Sequence, residues 1–144
     1  MTKNEMLPVQ VRQSAEPVRI VLADDNESVR NSLKLFIAAT QAFRLVGEAV
    51  DGFEAIDVCT VEEPDLVLMD ISMPVLDGIQ ATKIIRRYLP DVPILALSSF
   101  TDHSKIEKIL EAGVDDCISK SITFDELALR IEKITRSHAG NSAG

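Results

Sequence analysis

Asp24 and Asp25 follow the apolar run VRIVLA, Asp70 closes DLVLMD, Ser98 lies near the end of PILALSS, and Lys120 closes DDCISK. Three carboxylates gathered at one place repel one another and call for a cation. A donor set made only of oxygen selects a hard divalent ion. Mg2+ fits best, because it binds through one or two carboxylates, keeps several waters and contacts phosphate. Asp70 is then the best nucleophile, since a carboxylate can attack phosphorus and form an aspartyl phosphate once metal and nearby cations neutralise the incoming anion. Lys120 offers a fixed positive charge, and Ser98 a hydroxyl that can donate to a phosphoryl oxygen. The five residues read together as a phosphoryl-transfer site.

Such a site requires a fold that brings several chain ends to one place. Five short runs have strand character: VRIVLA (18–23), RLVGEAV (44–50), DLVLMD (65–70), PILALSS (93–99) and DDCISK (115–120). The first, third and fourth are nearly continuous in Val, Ile and Leu, as expected of parallel strands covered on both faces, whereas the more polar second and fifth suit sheet edges. Helix-period segments lie between them. Val29, Leu33, Phe36 and Ile37 share one face, Ala55, Val58 and Cys59 a second, and Ala81, Ile84, Ile85, Tyr88 and Leu89 a third. A fourth helix is predicted from about Asp102 to Ala112, ending at Gly113, and a fifth opens with a capping box of Thr123 and Glu126 before Leu127, Ile131 and Ile134. The string is (βα)5. Right-handed crossovers then give a doubly wound α/β sheet with helices on both faces, and the flavodoxin-like strand order 2-1-3-4-5 is the common five-strand solution. Neighbouring strands lie about 4.8 Å apart, so strands one and three would bring Asp25 and Asp70 within reach of one ion beyond their carboxyl ends.

Composition narrows the function classes. The 144 residues are 46% hydrophobic and 26% charged, enough for one domain with its own core. Lys and Arg total 15 against 23 Asp and Glu, and the net charge of -8 disfavours direct nucleic-acid binding. No apolar run reaches the length of a membrane span, and the N-terminal stretch carries no leader pattern, so a cytoplasmic location is expected. Cys59 and Cys117 have no metal-ligand spacing and read as reduced thiols. Residues 1–17 and 137–144 are aperiodic and are expected to form a flexible arm and a flexible tail or linker start.

The block LVLMDISMPVLDG with Asp70, Pro74 and Gly78, the pair in VLADDN, Ser98 in LALSS and Lys120 in CISKS resemble the receiver domain of bacterial two-component response regulators. The match covers roughly Val18 to Arg136. The resemblance implies that Asp70 accepts a phosphoryl group from a histidine kinase or phosphotransfer protein. It implies that Asp25, Asp70 and the backbone carbonyl of Ser72 ligate Mg2+, with Asp24 helping through water. Ser98 corresponds to the hydroxyl that moves toward the phosphoryl group, and Lys120 to the lysine that pairs with it. The chain would then be no enzyme beyond its own phosphorylation and slow dephosphorylation. It departs from the family at Ser121, where many receivers carry a proline, and at Cys117, where Tyr or Phe usually acts as a rotameric switch. The non-proline after the lysine is similar to receivers of the NarL/FixJ type, which precede a LuxR-like DNA-binding output domain. No such domain is expected in this chain, which would switch a partner surface or a phosphorylation-dependent homodimer.

Taken singly, most of these residues have plainer readings. The Asp24-Asp25 pair could cap a helix, Asp77 with Gln80 could cap the third helix, Lys120 could be a solvated surface lysine, and Gly78 a first-turn residue. His103 and His138 have no partner spacing and are expected to be exposed. Three alternatives compete with phosphorylation-driven control of an output domain. One is a single-domain receiver acting by protein contact. A second is an Mg2+-dependent phosphohydrolase, disfavoured because Ser72 stands where a DxD enzyme has its acid. The third is a phosphorylation-independent binding module or FMN carrier on the same fold.

Overall fold

The Val, Ile and Leu runs form a parallel sheet buried on both faces. The structure, a computed structural model, describes residues 16–143, with side chains through His138. Strands β1 (Val18–Ala23), β2 (Phe43–Ala49), β3 (Leu66–Asp70), β4 (Ile94–Ser98) and β5 (Asp116–Ser119) pair in the order β2-β1-β3-β4-β5, all parallel. This is the flavodoxin-like order expected, with the two polar strands at the edges. Every residue of β3 and β4 is buried.

Successive strand residues face opposite layers. Val21, Ala23, Val67, Met69, Ile94 and Ala96 pack with α2 (Gly52–Glu62), α3 (Gly78–Tyr88) and α4 (Ile106–Ala112). Ile20, Leu22, Leu66, Leu68, Leu95 and Leu97 pack instead with α1 (Glu27–Ala38) and α5 (Phe124–Ala143). The helix starts are chemically specified. Asn26 accepts from Val29 N–H, Asp51 from Glu54 N–H, Asp77 from Gln80 N–H and Thr123 from Glu126 N–H. Asn26 takes the cap of α1, which leaves Asp24 and Asp25 outside that role.

The elements differ from expectation in four places. A 3-10 segment, Phe100–Lys105, precedes α4 where an α-helix was predicted, because Asp102 draws the N–H and hydroxyl of Ser99 into a tight turn. Tyr88 was expected to face the sheet but is exposed; α3 ends there, ahead of Pro90, and the apolar stripe passes to half-buried Leu89. His138 was expected to be exposed and unpartnered, yet it is half-buried with Nε2 2.8 Å from Asp115 Oδ1. The backbone of α5 runs on to Ala143, through the stretch from Ser137 expected as a tail, since no proline or cap stops it. Residues 1–15 of the expected N-terminal arm, and Gly144, lie outside the described residues. Among the described residues no helix is long and apolar enough to cross a membrane.

Candidate functional site

Sheet register assembles the site. Ala23 pairs with Met69 and Asp70 with Leu97, so the ends of β1, β3 and β4 deliver Asp24, Asp70 and Ser98 side by side. Ser98 pairs with Ser119, and Lys120 N–H donates to the Ser98 carbonyl at 2.8 Å, which adds the end of β5. One carboxylate oxygen from each of Asp24, Asp25 and Asp70 lies within 4.8 Å of the others. Asp24 and Asp70 are buried and Asp25 is exposed, so the cluster meets solvent on the Asp25 side. Lys120 Nζ reaches in to 2.8 Å from Asp24 Oδ2 and 3.0 Å from Asp70 Oδ1.

The electrostatics follow from this crowding. Burial pushes the Asp70 carboxyl up to about 7, the Asp24 charge adds to the rise, and Lys120 pulls the other way. Burial works against the Lys120 ammonium, but its pairing with Asp24 and Asp70 outweighs that and leaves its pKa above the ordinary value. Asp24 Oδ2 is fully buried and receives no hydrogen bond, so the ammonium is the one charge that answers it. A single lysine against three carboxylates leaves the cluster net negative. An all-oxygen donor set in which one lysine faces three carboxylates fits a hard divalent cation that keeps open positions. The Ser72 carbonyl accepts no backbone hydrogen bond among the described residues. Ser98 Oγ, by contrast, donates to the Ile118 carbonyl at 3.3 Å and makes no hydrogen bond with Asp70.

Gly78 does more than begin α3. Its N–H donates to the Ile71 carbonyl at 2.8 Å, and a Cβ on it would collide with the carbonyl oxygen of Asp70. The loop therefore closes tightly behind Asp70 only because this residue lacks a side chain. We expect Gly78→Ala to lower stability by about 1–3 kcal/mol, the scale of overpacking a tight contact. Urea unfolding measures it, and an unchanged midpoint would mean that the loop yields freely.

Three contributing residues carry no clear signal of chemistry in the sequence. Arg30 Nη1 donates to the Asp24 carbonyl at 2.8 Å while its Nε sits 3.6 Å from Glu48 Oε1, so a cation from α1 braces the acidic pair from behind. Its position in a helix looks like that of any solvated arginine. Asp102 is only 1% exposed and accepts from Ser72 Oγ at 2.6 Å, Ser99 N–H at 2.8 Å and Ser99 Oγ at 3.0 Å. Lys105 Nζ completes the group by donating to Ser72 Oγ at 2.9 Å. The spacing Ser99 to Asp102 is a capping-box pattern and could have marked the turn. Burial alone would raise the Asp102 carboxyl, but the hydrogen bonds from Ser72 and Ser99 and the Lys105 charge together hold it below the ordinary range.

The two thiols differ. Cys59 is fully buried, and that burial pushes it up to about 12, whereas Cys117 is half-buried and raised less far, again by burial first. Phe100 lines the rim of the cleft shared by Ser98, Ile106 and Cys117 and is itself 97% exposed. A thiol reagent at neutral pH should modify Cys117 slowly in the native protein and Cys59 only after unfolding. Mass spectrometry of the labelled chain checks this; labelling of native Cys59 would contradict the packing of α2.

Comparison with known proteins points the same way. The chain is 40% identical over 123 residues to the uncharacterized transcriptional regulatory protein YhcZ of Bacillus subtilis, an alignment covering 85% of this chain and 56% of that one. It therefore spans just over half the length of that relative. A two-component response regulator of the LuxR family from Aurantimonas sp. SI85-9A1 superposes with a TM-score of 0.78 at 32% identity, covering 85% and 87% of the two chains. The receiver domain of the sensor histidine kinase PA1611 from Pseudomonas aeruginosa PAO1, solved with a magnesium ion coordinated in its active site cleft, gives 0.76 at 28% identity over 83% and 98%. The sequence model of the response regulator receiver domain matches residues 20–132, from within β1 through β5 and including the assembled carboxylates, and the chain belongs to that family.

Proposed function

We propose that this receiver works through Asp70, which accepts a phosphoryl group from the phosphohistidine of a sensor kinase or phosphotransfer protein. The observation that carries the reading is the meeting of Asp70 with Asp24, Asp25 and Lys120 at the carboxyl end of the central strand. One Asp70 carboxylate oxygen forms the new P–O bond while the bond from phosphorus to the donor breaks, and the donor leaves with that electron pair. Asp24, Asp25, Asp70 and the Ser72 carbonyl would hold Mg2+, which when bound neutralises charge on the phosphoryl oxygens. Lys120 stays paired with Asp70 and offers its remaining protons to the phosphoryl group. Ser98 turns from the Ile118 carbonyl and donates its hydroxyl to a phosphoryl oxygen, which removes its support from the cleft beside Cys117.

Receiver domains in general are signalling domains rather than enzymes, and the chemistry assigned to this one stops at its own phosphorylation and slow hydrolysis. The likeness to a LuxR-family regulator supports a role in transcription control, through an output domain or through a partner or second copy bound after phosphorylation. Such a signal is read in the cytoplasm. Intact mass after incubation with acetyl phosphate and Mg2+ tests the proposal. One alkali-labile phosphoryl group per chain is expected, and no mass gain under saturating donor and metal would refute the reading.

A further inference from the structure

Two loops flank the acceptor site, one leaving β3 through Ser72 and one leaving β4 through Ser99, and a single buried carboxylate ties them together. Asp102 Oδ1 takes the hydroxyl of Ser72 at 2.6 Å, and its Oδ2 takes both donors of Ser99 at 2.8 Å and 3.0 Å. Lys105 closes the group on the outside by donating to Ser72 Oγ. Both Asp102 oxygens accept hydrogen bonds and the Ser72 hydroxyl both donates and accepts, so the network is costly to break in part. Its placement is the informative feature. Ser72 lies two residues beyond Asp70, and Ser99 is bonded directly to Ser98.

We propose that Ser72, Asp102 and Lys105 form a latch that holds the segment after β4 in its resting position, and that Asp102 sets how readily Ser98 can approach Asp70. The inference rests on the phosphoacceptor reading above. In the resting protein Ser98 Oγ is occupied by the Ile118 carbonyl, and the next residue is held back through both its N–H and its hydroxyl. Any backbone movement that carries Ser98 toward a group on Asp70 draws on Ser99, and through Asp102 on Ser72. The latch thus favours the resting state of a two-state equilibrium, and weakening it raises the population of conformers that have Ser98 in place. Asp102 and Lys105 touch neither the acidic cluster nor Lys120, and they act by positioning.

The rate of phosphoryl uptake from acetyl phosphate at saturating Mg2+ separates this role from mere structural support. Loss of support would slow uptake; release of a latch speeds it. Asp102→Ala and Lys105→Met are expected to take up phosphoryl groups about threefold to tenfold faster than wild type, the scale of one net hydrogen bond. Asp102→Asn keeps the shape and one acceptor and should fall between wild type and Asp102→Ala. Amides from Ser99 to Lys105 should exchange faster in the resting variants while those of β3 stay protected. Lys105→Met removes a half-buried cation without emptying the core, so it keeps the test valid should Asp102→Ala fail to fold. Uptake at or below the wild-type rate in folded Lys105→Met and Asp102→Asn overturns the latch and leaves the phosphoacceptor reading intact. No uptake by wild type overturns that reading, and the latch with it.

Discussion

Asp70→Asn is expected to take up no phosphoryl group from acetyl phosphate at any Mg2+ concentration, while folding as well as wild type. An amide has neither the charge nor the basicity to attack phosphorus, and neither Asp24 nor Ser98 is placed to substitute. Asp24 is fully buried, with Oδ1 accepting from Asn26 N–H at 2.8 Å and Oδ2 facing Lys120. Ser98 donates its own proton to a carbonyl and has no base to take it. Asp25 is exposed and is the remaining rival, so peptide mapping should accompany intact mass. Folding is preserved because Asn matches Asp in volume and the substitution removes one charge from a repelling cluster. The Lys120 pairing with Asp70 weakens, but its bond to Asp24 persists at 2.8 Å. A phosphoryl group retained by Asp70→Asn at undiminished level would remove Asp70 from the acceptor role. One found on Asp25 in wild type would move the chemistry to the mouth of the cluster.

The fold was legible because both of its periods are written plainly. Continuous Val, Ile and Leu in β1, β3 and β4 can be buried only between two helical layers, and polar β2 and β5 can lie only at edges, which with right-handed crossovers leaves few strand orders. The meeting of Asp24, Asp70 and Lys120 followed from that order, since each ends a strand. What escaped the sequence depends on tertiary distance. Asp102 lies in a polar 3-10 segment and accepts from Ser72, thirty positions earlier, a contact that no local pattern announces. Arg30 has the same helix signature as Lys34, which pairs with the same Glu48, and its reach to the Asp24 carbonyl sets it apart. His138 was hidden for a similar reason, because its partner Asp115 stands at the foot of a different strand. Gly78 was placed correctly at the start of α3, but the close approach that demands glycine there involves the carbonyl of Asp70 and is invisible to any local pattern.

Mg2+ should reverse the effect of Asp25→Asn on stability. Without metal, three carboxylates with oxygens within 4.8 Å repel one another, and the lysine contacts only Asp24 and Asp70. Replacing exposed Asp25 by Asn removes repulsion without disturbing the core, so the variant should melt at or above the wild-type temperature. Adding Mg2+ changes the order, because a ligand that binds only the folded state stabilises it by RT ln(1 + [L]/Kd), about 2.7 kcal/mol at a hundredfold excess over Kd. The substitution exchanges an anionic ligand for a neutral one, and at least a tenfold weaker site is expected, or about 1.4 kcal/mol less stabilisation at saturating metal. For a domain of this size that amounts to about 3–5 °C, enough for the two melting curves to cross as Mg2+ is titrated. Calorimetric titration should give the same tenfold ratio directly. Equal Mg2+ affinity and parallel melting shifts in the two proteins would place the ion away from Asp25.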